Sequence, residues 1–134
     1  MDTRSALLQV SPITALQFAA FRIIFGLYLC IHFVHLLPFA AELFSNQGVL
    51  ANPTGNPIHG VLPNPLDYWD SPALATTFVT FLLVLSIAFT FGVFRRTTAI
   101  LLWFGWACLF NRNNLISNPS LAYVGFLMLA CAVI

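Results

Sequence analysis

Residues 78–110 read Phe78-Val-Thr-Phe-Leu-Leu-Val-Leu-Ser-Ile-Ala-Phe-Thr-Phe-Gly-Val-Phe94, then Arg95-Arg96, then Thr97-Thr-Ala-Ile-Leu-Leu-Trp-Phe-Gly-Trp-Ala-Cys-Leu-Phe110. Two long apolar runs flank a single pair of arginines. Runs this long and unrelieved exceed what the core of a small water-soluble domain needs, so the stretch predicts a hairpin of two transmembrane helices joined by a short basic turn. Arginine and lysine concentrate in short cytoplasmic loops, which places Arg95 and Arg96 at the cytoplasmic membrane interface.

Composition agrees. Of 134 residues, 60% are apolar and only 7% charged, and the mean hydropathy is +0.90. A soluble domain carries about a quarter charged residues. The five arginines (Arg4, Arg22, Arg95, Arg96, Arg112) form no basic face and there is no lysine, which argues against nucleic acid as a partner. Cys30, Cys108 and Cys131 all lie within apolar runs, where cysteine acts as a small packing residue. No signal-peptide pattern opens the chain, because the first apolar run is too long and carries Arg22.

Outward from the hairpin, the chain predicts an all-α, polytopic integral membrane protein. Four transmembrane helices at about residues 14–37, 73–94, 97–112 and 119–134 form an up-down bundle, a single domain with one long extracytoplasmic loop at 39–72. Ser11-Pro12 offers a cap for the first helix and Pro38 a stop. The long loop holds five prolines and three glycines, and Glu42, Asp67 and Asp70 lie in it. Tyr68 and Trp69 near its end read as membrane-interface aromatics. The fourth run stops at Ile134 with no polar anchor. A free carboxylate near hydrocarbon is costly, so the sequence reads as the first part of a longer protein.

No complete catalytic motif and no metal-ligand pattern is present. The candidate ligand-binding or helix-locking residues are few. Arg22 within the first helix either fixes neighbouring helices through hydrogen bonds or holds a ligand. Gly26, one turn on, allows close approach of a backbone or ligand. His32 and His35 share one side of the helix at i, i+3, a spacing that fits interfacial histidines and, with further ligands, a metal or haem. Asn111-Arg-Asn-Asn114 is the densest polar stretch. Its amides and the Arg112 guanidinium lie on the same side as the long loop, whose backbone needs partners. The expectation is that the loop folds over this turn as a cap, with Arg112 meeting Glu42, Asp67 or Asp70.

Four segments, Phe21-Arg-Ile-Ile-Phe-Gly26, Phe44-Ser-Asn-Gln-Gly-Val-Leu50, Phe91-Gly-Val-Phe-Arg-Arg-Thr97 and Asn111-Arg-Asn-Asn-Leu-Ile-Ser-Asn118, resemble in that order the first part of the HTTM domain. This is the membrane domain of vitamin K-dependent gamma-carboxylase and its bacterial relatives. The resemblance implies a helical membrane bundle and a quinone-like lipid as the cofactor class. Alternation puts Arg4 with Arg95 and Arg96 on the cytoplasmic side, so the N terminus is expected there, with Arg112 against the rule, and the bacterial inner membrane is the expected location. The family's catalytic lysine has no counterpart here, so carboxylation does not carry over. A rival resemblance is to DoxX-like four-helix membrane proteins, which match the length and the basic turn. The reading is a structural or accessory subunit of a larger membrane complex, without catalysis of its own, in contact with lipids and other membrane subunits. The alternative is an enzyme or binding protein for a quinone-like lipid.

Overall fold

The computed structural model describes residues 14–134, and the Ser11-Pro12 cap lies outside that range. The described chain is all-α. Its helices are α1 (Ala15–Leu36), α2 (Ala40–Phe44), α3 (Pro65–Tyr68), α4 (Pro72–Phe91), α5 (Arg95–Arg112) and α6 (Pro119–Val133), with single 3-10 turns at Leu37–Phe39, Pro53–Gly55 and Asn114–Ile116.

Helix boundaries follow local chemistry. Thr14 caps α1: its hydroxyl accepts from Gln17 N and the Gln17 side chain answers the Thr14 N–H, the reciprocal capping box. The α-helix ends at Leu36, just before Pro38, as expected. Pro38 itself sits in a 3-10 turn that α2 continues, giving one apolar helical stretch, Ala15–Phe44. The ring removes one donor and one α-helical bond, and the tighter i→i+3 bonding absorbs the loss. α4 begins at Pro72 behind the Ser71 cap and ends at Gly92. There φ is 80°, and Gly92 N→Phe89 O (3.0 Å) with Val93 N→Ala88 O (2.9 Å) close a Schellman motif. α5 then takes in the arginine pair, two residues earlier than the apolar run indicates.

Neighbouring helices are antiparallel, as their cross-contacts show. Cys30 of α1 meets Ser86 of α4 (Sγ–Oγ 3.3 Å), while four residues earlier Gly26 meets Thr90, four residues later. An added methyl on Gly26 would come 3.0 Å from the Thr90 Cα, so glycine sets the α1–α4 distance. Gly105 of α5 receives Leu82 of α4, and Trp106 of α5 donates to Leu121 O of α6 (3.1 Å). The core between them is aliphatic and aromatic: Phe25, Leu29, Phe33, Leu82, Phe89, Leu102, Trp106 and Met128.

The Ala15–Phe44 stretch and α4 are long and apolar enough to cross a membrane. α5 has the length but carries three arginines, and α6 has 15 residues.

Candidate functional site

The C-terminal end of α5 leaves carbonyls without helical partners, and the long loop supplies what they lack. Asn64 donates to Cys108 O (2.8 Å), and Asn56 donates to Asn111 O. The bonding is reciprocal. Asn111 donates to Ile58 O (2.9 Å), and Asn113 donates to Leu43 O (2.8 Å). Arg112 reaches Leu50 O (Nη1, 2.8 Å) and Ala51 O (Nη2, 3.5 Å). The end of α5 and the long loop thus exchange bonds with each other's backbone, and the loop forms a lid over the end of α5.

Burial gives the arrangement its energetic weight. Arg112 and Asn113 are fully buried, and Asn111, Asn56 and Asn64 nearly so. The expected partner of Arg112 is corrected: among the described residues no carboxylate lies within ion-pair distance of it, and the guanidinium bonds backbone carbonyls instead. Its planar fork spans two successive carbonyls, which a single carboxylate partner would not require. It also sits in the last turn of α5, where the helix dipole favours a cation. Asp67, expected as one partner, pairs with His59 (3.3 Å). Three buried polar atoms here have no partner: Asp67 Oδ1, Asn111 Oδ1 and Arg112 Nε. Asn114 stays outside the network; its carbonyl closes the 3-10 turn with Ser117. Tyr68 and Trp69 project from this end, both largely exposed.

A second feature lies along the bundle. His32 is half-buried with its ring 4.9 Å from Trp106 and flanked by Tyr28 and Phe33, and its Nε2 is buried without a partner. His35 is exposed. Among the described residues no group of three or more His, Cys, Asp or Glu comes together. Trp106 also contributes to an open groove of about 780 Å³ between α5 and α6, lined by Trp103, Trp106, Phe110, Gly125 and Phe126 together with Asn118.

Arg22, Arg95 and Arg96 lie at the opposite end of the bundle. Arg22 packs on Gly92, Arg95 lies over the Phe18 ring, and Arg96 is exposed. The arginines therefore divide between the two ends, and Arg22 and Arg112 do not share a site. Sequence reasoning missed Asn56, Asn64 and Trp106. The first could not be told from other loop amides, but Asn64-Pro65 is a cap-and-first-position signal for α3.

No family model matches this sequence, and comparison with curated proteins and with solved structures likewise returns no match.

Proposed function

We propose that this chain is an integral membrane protein whose four long helices cross the bilayer. Its lid faces away from the cytoplasm, and it serves as an accessory subunit held among other membrane subunits without catalysis of its own. One observation carries the reading: the outer faces of the bundle are apolar on every long helix. Ile24 of α1 is 70% exposed, Val84 of α4 57%, Ile100 of α5 50% and Phe126 of α6 70%. Patches of this extent on a soluble monomer are a liability, whereas lipid or partner helices cover them without penalty. The charged side chains of the described residues sit at the two ends.

Topology is tested with cysteines at the exposed positions Thr54 and Arg96. An impermeant thiol reagent on intact cells should label Thr54→Cys and spare Arg96→Cys; the reverse pattern defeats the orientation. The subunit reading is tested by mild extraction and native mass measurement. Partners should add to the chain's own 14.8 kDa, and a single chain with lipid alone counts against it.

The groove between α5 and α6 favours a second reading, a binding protein for a quinone-like lipid. Its volume lies within the usual range for small-molecule sites. The partly exposed Trp103 offers a flat face for a ring, and the groove's open side would let a long apolar tail run into the bilayer. A menaquinone analogue should quench tryptophan fluorescence in the wild type, and Trp103→Phe should lose that response. Equal quenching in both variants rejects the groove.

A further inference from the structure

The turn between α4 and α5 arranges charge against the local dipole. Anions belong at a helix N terminus, where partial positive charge and free N–H groups converge. α5 instead opens with Arg95 and Arg96, has no acidic residue in its first turn, and receives no side-chain bond from its N-cap, Phe94. Phe94 itself takes a left-handed backbone, φ 44°, which a bulky side chain adopts only under constraint.

A third cation joins them. The Arg22 guanidinium packs on Gly92, so that a methyl there would lie 2.7 Å from Nη1 and 3.1 Å from Nη2. Arg95 leans the same way, 5.0 Å from the centre of the Phe18 ring. Phe18 lies one turn before Arg22 on the same face of α1. Among the described residues no carboxylate pairs with any of the three, the one ion pair being His59–Asp67 in the lid. Arg22 Nε is buried without an acceptor. The C-terminal end of α4 offers Arg22 about half a negative charge, which leaves most of three full positive charges unmatched. Beside them Phe91 and Phe94 are 78% and 79% exposed.

We infer that this turn binds the phosphodiester of an anionic phospholipid, held by Arg22, Arg95 and Arg96 with the free N–H groups of the α5 N terminus. A phosphate accepts from several guanidinium forks at once and supplies the anion that α5 lacks. The two exposed phenylalanines suit the lipid's acyl region and have no use for a free inorganic ion. The inference rests on the membrane-spanning reading.

The test uses the full chain in neutral detergent, with native mass spectrometry after addition of equal amounts of dioleoyl phosphatidylglycerol and dioleoyl phosphatidylcholine. Phosphatidylglycerol should be retained in preference, and Arg22→Gln and Arg96→Gln should each weaken that preference about fivefold. Arg96 is exposed, so its variant keeps the test valid if Arg22→Gln does not fold. Excess inorganic phosphate should leave the bound lipid in place. Displacement by phosphate assigns a free-anion site and overturns the lipid assignment. Equal retention of both lipids, or unchanged preference in the variants, overturns the inference. A chain that stays soluble without detergent overturns the membrane reading with it. A chain that reconstitutes in phosphatidylcholine yet shows no preference overturns the lipid site alone.

Discussion

The two ends of the bundle hold their arginines in opposite ways. At the lid, Arg112 is fully buried and bonds the Leu50 and Ala51 carbonyls. At the basic turn, Arg22 packs on Gly92, Arg95 lies over Phe18 and Arg96, next in sequence, is exposed, with no carboxylate among the described residues paired to any of the three. The first is tied down by several bonds to backbone carbonyls and acts as a structural clamp, although three of its buried polar atoms lack partners. The second holds its cations with no bonded acceptor among the described residues, and that is where we infer that a ligand binds. Residue type alone therefore does not separate a locking arginine from a binding one; the supply of acceptors does.

The largest effect should come from Arg112. Replacing it with Ala removes two charge-assisted bonds to the loop backbone and empties the buried site that the side chain fills, at a cost of about 3 kcal/mol. Arg112→Lys should recover part, since an ammonium cannot reproduce the planar fork. Thermal unfolding in detergent measures both, and a melting point unchanged by Arg112→Ala would remove the clamp from the comparison. Gly92→Ala comes next. At φ 80° a side chain costs about 1–2 kcal/mol, and the methyl would displace the Arg22 guanidinium. This variant should lower stability and lipid preference together, and loss of stability alone would detach Arg22 from the binding end.

Smaller again is Asn113→Ala, which removes one bond to Leu43 O and its own cap on Leu115 N. It should cost about 1 kcal/mol, read as faster proteolysis between residues 46 and 64 with the helices intact. Asn114→Ala, which loses no side-chain bond, should stay within about 0.5 kcal/mol of wild type. Equal cleavage in the two variants would mean that the lid is held by something other than these amides.

Much of the fold is readable from apolar runs and their punctuation. Ser71-Pro72 starts α4, Gly92 ends it, and Asn118-Pro119 starts α6, each by a local mechanism that a single sequence displays. The position of the lid is readable too, because the amide-rich turn and the proline-rich loop must share one side. Its wiring is not. Arg112 attracts a carboxylate in any sequence-level argument, yet Asp67 turns to His59 and the loop backbone comes close enough to serve Arg112. That choice depends on the path of residues 45–64, which few periodic signals constrain. Pro38 is legible as the stop of α1, whereas the 3-10 turn that carries the chain past it into α2 is not. The meeting of His32 with Trp106 arises from the long indole reaching across the bundle to α1 and leaves no trace in spacing.

The lid also sets an order of events during synthesis. The Leu50 carbonyl and the Arg112 side chain that serves it are separated by 62 residues. At 5–20 residues per second the loop would wait roughly 3–12 s for its partner. During that interval its carbonyls need water, so under the proposed membrane-spanning reading the segment stands outside the hydrocarbon while the third long helix is still being made. Closure then comes late and ties the earliest-made half of the chain to the latest. Until it does, the unprotected loop is the part of the nascent protein most open to a protease or a chaperone.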